Sequence, residues 1–228
     1  MSRLHELTLP LSAERVRELR VGDMVTLTGQ VTVSIGIPTH KRMAEAARRA
    51  GEGEDGQPLP IDLNGGAFFH LSTYVREQDG KSVPLYLNPS TSTRYNAWMP
   101  DIVRGLGLRL VGGKGGLDDA SVAALKECGC AYLSFLGGGS PLLSRALRGV
   151  ASSHWNEYIS QFRLLTLDVQ ALGPATVAID AHGGSAYDQV GARAHDRLPA
   201  ILERMRAARA ADARPPAAIV AAAPAPRA

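Results

Sequence analysis

Residues 108–147 read LRLVGGKGGLDDASVAALKECGCAYLSFLGGGSPLLSRAL. Leu108 to Val111 is a short apolar run closed by glycines, which predicts a buried strand. Gly112 to Gly116 forms a turn, and Asp118 to Cys128 has the composition and N-terminal acids of a helix. The pattern then repeats: a strand at Ala131 to Phe135, a turn at Gly137 to Gly139, and a helix near Pro141 to Leu147. Strand, glycine turn and helix twice in succession predict a mixed α/β domain.

Working outward, the flanks supply more strands. Ser12 is an N-cap candidate for a helix through Leu19, and Met24 to Val33 alternates as a strand. A helix is expected from about Thr39 to Ala50, then a polar loop from Gly51 to Gln57. Leu59 to Val75 reads as strand material broken at Asn64-Gly65-Gly66, and Asp79-Gly80 signals a hairpin into Val83 to Leu87. A hydroxyl-rich loop, Asn88 to Thr93, leads to a helix ending near Gly105. On the far side, Phe162 to Val169 and Ala175 to Asp180 are β-rich. The expected organisation is one α/β domain over residues 1–190. A C-terminal helix, about 192–211, and a disordered Ala/Pro tail fill the rest of 191–228.

Composition narrows the function classes. The chain has 228 residues, 45% hydrophobic and 21% charged, enough apolar material for a sizeable core. Its only cysteines, Cys128 and Cys130, are one residue apart, which excludes a disulfide scaffold and suits neither a thioredoxin-like pair nor a zinc site. The formal net charge is +3, and the last 22 residues hold Arg209, Arg214 and Arg227 against Asp212, so the body is nearly neutral. Without a basic stripe and with 5% aromatics, nucleic acid is not expected as a partner. No run approaches the roughly 20 apolar residues of a membrane helix, and the N-terminus lacks a signal core, so no membrane association and a cytoplasmic location are expected.

Three loops share one chemical character. Asn88-Pro89-Ser90-Thr91-Ser92-Thr93 places four hydroxyls ahead of a helix with Arg94 close behind, Gly112 to Gly116 carries Lys114, and Gly137-Gly138-Gly139-Ser140 follows the next strand. Free N–H groups at helix starts, close backbone approach at glycine and a fixed cation together suit a carboxylate or phosphate. A plain N-cap explains the hydroxyls, and turn geometry the glycines, when each loop is taken alone. The spacing is neither a P-loop nor a dinucleotide fingerprint. The histidines His40, His70, His154 and His182 have no metal-ligand spacing.

Several motifs, in order, resemble one family. Leu19-Arg20-Val21-Gly22-Asp23 leading into a strand, His40-Lys41-Arg42, Pro60 to Gly65 with Ala67-Phe68-Phe69-His70, Asn88 to Arg94, Val111 to Gly116, His154 to Glu157 and Gly173 to Gly183 follow its pattern. The chain thus resembles the β-subunit of L-tartrate dehydratase and the C-terminal domain of iron–sulfur (class I) fumarases, over roughly Leu7 to Val190. The resemblance implies a swivelling β/β/α domain and one half of a hydro-lyase acting on a small hydroxy (di)carboxylic acid. It implies an α-subunit partner that supplies three cysteines to a [4Fe–4S] cluster, in a heteromer of two α- and two β-subunits or similar. It assigns catalysis to Ser90, Thr91 and Lys114, with Ser90 removing the proton beside a carboxylate. Arg94, Asn88, His40, Ser72 and Thr73 fall where the substrate is held.

The departures lie in the same loops. Where the family has Arg-Asp-x-x-His, this chain has Gly36 and Ile37 before His40, so the Arg gripping a carboxylate is missing. The expected Gly-Pro is Ser72-Thr73, and the first Thr of the hydroxyl pair is Ser90. An altered substrate follows, with room at Gly36 for a bulkier or less charged substituent. The alternative is a non-catalytic subunit of the family that binds an anion or serves assembly.

Overall fold

Strand β1 (Leu4–Thr8) lies parallel to β2 (Met24–Val33), and the short helix α1 (Ala13–Arg17) connects them. Ser12 caps α1 as the sequence predicts, its hydroxyl accepting from Arg15 N–H. Helix α2 (Ile37–Glu52) begins two residues earlier than expected, because Pro38 lacks only an N–H that the first turn leaves unpaired anyway. The computed structural model describes residues 2–52 and 59–212, so most of the Gly51–Gln57 loop and the Ala/Pro tail lie outside the described residues.

The next strands are β3 (Ala67–Phe69), β4 (Leu71–Ser72), β5 (Val75–Gln78), β6 (Lys81–Pro84) and β7 (Asn88–Pro89). The hairpin of β5 and β6 turns at Asp79 and Gly80, both at positive φ. Residues 59–63 are not a strand; the ladder begins at Ala67, after the turn at Asn64-Gly65. A 3₁₀ turn over Ser92–Tyr95 leads to α3 (Met99–Gly105), β8 (Leu110–Gly113), α4 (Asp119–Cys128), β9 (Ala131–Ser134) and α5 (Ser140–Ser144). β10 (Leu147–His154), β11 (Leu164–Ile179) and α6 (Ala186–Ala211) complete the order.

Strands β2, β3, β8 and β9 are parallel neighbours, and β11 runs antiparallel to both β9 and β2. Thr176 pairs with Met24 on one side and Ser134 on the other, so these five strands close into a ring. Side chains alternate across it. Phe68, Val111 and Tyr132 pack outward with Met43 of α2, Met99, Ile102 and Val103 of α3, and Leu125 of α4. Phe69, Leu110 and Leu133 face the other way and join Val25, Leu27, Leu167 and Val177 in a second core. The architecture is mixed α/β, as the alternation in residues 108–135 predicts.

Two further features differ from expectation. β11 is one strand of 16 residues, not two runs; it passes Gln170 to Pro174 through register shifts, with Ala171 and Gly173 at positive φ. β10 has little β-branched sequence, and its pairing with β11 makes it a strand. The described residues up to Tyr187 form one compact unit, and the described residues from Asp188 to Asp212 belong to another that carries most of α6.

Candidate active site

Because β2, β3, β8 and β9 are parallel, their C-terminal ends share one edge of the sheet, where α/β folds place ligands. The loops emerging there begin at Ser34, His70, Lys114 and Phe135. Backbone bonds lace two of them together. Lys114 N–H donates to Ser90 O (2.9 Å), Ser92 N–H donates to Lys114 O (2.7 Å), and Thr91 faces Lys114 across a parallel bridge. Ser90 N–H donates in turn to His70 O (2.8 Å). Ser90, Thr91 and Lys114, far apart in sequence, are therefore one unit. β4 pairs with β7, setting Ser72 opposite Asn88, and Thr73 follows into the interior. Arg94 is exposed on the 3₁₀ turn, and the Lys114 stem lies against Gly137.

Behind these loops lies a buried polar cluster that the sequence reading left unassembled. His40 stacks on Tyr95 with ring centroids 3.9 Å apart, and His70 lies 5.1 Å from His40. His70 Nδ1 is 2.7 Å from Ser92 Oγ, which is 2.8 Å from the Tyr132 hydroxyl. Tyr95 donates to Ile35 O (2.8 Å). Burial pushes His40 down to about 4, the bond to Gly36 O opposing. Burial, aided by neighbouring His40, also holds His70 well below its ordinary value. Both imidazoles are neutral at pH 7. Burial raises Tyr95, with Ser90 and Arg94 opposing.

Of this cluster the sequence marks His40 as a candidate and holds Ser92 in the hydroxyl run, whereas His70 stands only among the histidines without ligand spacing, and Tyr95 and Tyr132 are not singled out. The available signal was spacing, since residues i and i+3 of a 3₁₀ turn eclipse and Ser92 and Tyr95 are both buried. Thr91 occupies the N-cap position of that turn, yet its side chain makes no capping bond. Plain capping therefore does not account for the hydroxyl run.

Three expectations change. The start of α4 is already taken by an acid: Asp118 Oδ1 accepts from Ser121 N–H (3.0 Å) and Ser121 Oγ (2.6 Å), and Asp119 follows it. A bound anion would be repelled there. Helix α5 spans five residues, too short for an appreciable dipole. The anion chemistry thus rests on Lys114, Arg94, hydroxyls and loop amides. Gly36, finally, leaves no room for a substrate substituent: a Cβ there would sit 2.7 Å from Phe162 Cβ and 2.9 Å from Phe162 O. The Ser160–Phe162 turn packs into that space.

The cysteines do not make a cluster site. Cys130 is fully buried in the helix-side core, and burial raises its thiol far above the ordinary value. Burial also raises Cys128, and a thiolate ligand needs the opposite environment. Among the described residues, no three His, Cys, Asp or Glu side chains converge as metal ligands. None of the described helices is long and apolar enough to cross a membrane.

Comparison with known proteins places the chain among relatives. Residues 3–190 match the family model described as fumarase C-terminus. The L(+)-tartrate dehydratase subunit beta of Escherichia coli K12 is 30% identical over 179 residues, covering 78% of this chain and 84% of that protein. A Methanocaldococcus jannaschii protein provisionally named L(+)-tartrate dehydratase subunit beta is 25% identical, covering 84% of this chain and 95% of that protein. A Geobacillus stearothermophilus protein provisionally named fumarate hydratase class I is 27% identical over 88% of this chain, which spans only 37% of that longer protein. With a family match over residues 3–190 and a relative 30% identical across 84% of its own length, this chain belongs to the fumarase C-terminus family.

Proposed function

We propose that this chain is the β-type subunit of a hydro-lyase that adds or removes water from a small hydroxy acid. The observation that carries the reading is the Thr91–Lys114 bridge, which fixes the Ser90–Thr93 hydroxyls beside a lysine at the strand edge of a family member. Lys114 and Arg94 hold a substrate carboxylate, while Thr91, Asn88 and the loop amides orient it. Ser72, Thr73 and His40 line the other side. Ser90 first releases its own hydroxyl proton to solvent in the open site and then, as the alkoxide, takes the proton from the carbon beside that carboxylate.

A serine hydroxyl is a poor base in water, so its anion must be stabilised where it forms. The Lys114 ammonium supplies charge. Tyr95 supplies a hydrogen bond: its hydroxyl turns from Ile35 O to Ser90 once Ser90 has lost its proton. Burial raises the Tyr95 pKa, so it donates without giving up its own proton.

The chain works with an α-subunit in the cytoplasm, and swivelling of this domain against that partner closes the site over substrate. The family's [4Fe–4S] cluster belongs to the partner, because the thiols of this chain do not suit it. The test is a dehydration and hydration assay, with tartrate and fumarate among the substrates, on the chain co-purified with its partner. Ser90→Ala and Lys114→Ala should each lower kcat by about 100-fold or more. Near-wild-type turnover of Ser90→Ala would remove the proton-abstraction role and leave a non-catalytic anion-binding subunit as the better reading.

A further inference from the structure

His40 Nε2, His70 Nε2 and Thr73 Oγ1 are buried without a hydrogen-bond partner among the described residues. Buried polar atoms in native proteins are nearly always satisfied, by protein, water or ligand. Donor accounting shows what His40 requires. Gly36 O can only accept, so the His40 Nδ1 at 2.7 Å from it carries the ring proton. A neutral imidazole has only one such proton, so Nε2 is a bare acceptor.

A carboxylate brings only lone pairs to His40 Nε2, whereas a hydroxyl or primary amide brings a proton. Charge leads to the same conclusion. Lys114 and Arg94 belong to the Ser90 side, whereas Lys41 and Arg42 on the His40 helix are engaged elsewhere. Lys41 lies 6.0 Å over Trp98, and Arg42 pairs with Glu157 beneath Trp155.

We propose that the substrate is a monocarboxylate whose far end carries an uncharged hydrogen-bond donor, a hydroxyl or primary amide, seated on His40 Nε2. The proposal rests on the Ser90–Lys114 reading of the carboxylate end and adds the identity of the other end.

The probes are malate and its 4-amide, titrated by calorimetry into the full chain co-purified with its partner. Histidine ring ¹⁵N resonances are followed in the same samples. The amide should bind tighter by roughly tenfold or more, as sites built around a hydrogen bond discriminate. The His40 Nε2 resonance should move upfield with the amide and stay in place with malate. His40→Phe keeps a ring against Tyr95 and removes Nε2, so it should erase the preference. If that variant does not fold, the wild-type resonance decides. Equal or tighter binding of malate, binding of neither probe, or an Nε2 already hydrogen-bonded before ligand and unmoved by both, as a resident water would give, each overturns the proposal. Ser90-dependent turnover of malate alongside a malate preference would sink the donor pocket and keep the hydro-lyase reading. An amide preference without any lyase activity would do the reverse.

Discussion

His40 and His70 carry a consequence for stability that is independent of substrate. Both stay neutral when folded because burial disfavours their charged forms, with His40 near 4 against an ordinary 6.5. The unfolded chain takes up protons on both rings below about pH 6.5, and the folded chain does not. Folding stability is therefore full above that pH and falls as pH drops toward 4. His40 alone contributes a loss on the order of 3 kcal/mol, and His70 adds in the same direction. Urea titrations at pH 7.5, 6 and 4.5 on the wild type and His40→Phe would measure it; an equal pH slope in the two would show that His40 does not carry the effect. Gly36 is the other decisive residue. Replacing it with Arg, the residue of the family pattern, drives a side chain into the Phe162 backbone and should cost roughly 1–3 kcal/mol, as overpacking does. A Gly36→Arg protein as stable as wild type in the same titration would show that the Ser160–Phe162 turn yields freely.

At the scale of elements, helix α4 joins sequence to site most directly. It follows the Lys114 loop, starts on the Asp118 cap and stops at Gly129, whose φ of 65° suits glycine. Asp118→Ala should cost about 1 kcal/mol in a denaturant melt. It should also loosen the Lys114 loop and raise KM for a carboxylate substrate more than it changes kcat. An unchanged KM would mean that the loop is held by the Thr91 bridge alone. This stretch was legible because apolar runs, caps and glycines are local signals. The hydroxyls and Lys114 of the proposed site are legible for the same reason, as contiguous motifs. The edge strand β10 was not, since its pairing with β11 and not its own composition makes it a strand. Nor was the His40–His70–Ser92–Tyr95–Tyr132 cluster, whose members come from four separate segments. They meet only because the strand order sets β3 beside β8 and β8 beside β9.

At the scale of the whole molecule, the proposed reading gives this chain a grip and a base, while among the described residues no three His, Cys, Asp or Glu side chains converge as metal ligands. If the proposed α-subunit holds the [4Fe–4S] cluster, the two thiols of this chain are dispensable for it. Cys130 sits in the core behind β9, where a small apolar residue can replace it, and Cys128 is half-buried at the end of α4. Cys128→Ser with Cys130→Ala should therefore lower stability by roughly 1–2 kcal/mol, the cost of a modest core truncation. Iron and sulfide per purified assembly should stay unchanged. The isolated wild-type chain, purified without a partner, should be colourless and inactive. Loss of iron from the assembly carrying the double variant, without loss of subunit association, would assign cluster ligation to this chain. That outcome would require Cys130 to leave the core on assembly, since its burial now holds the thiol in its protonated form.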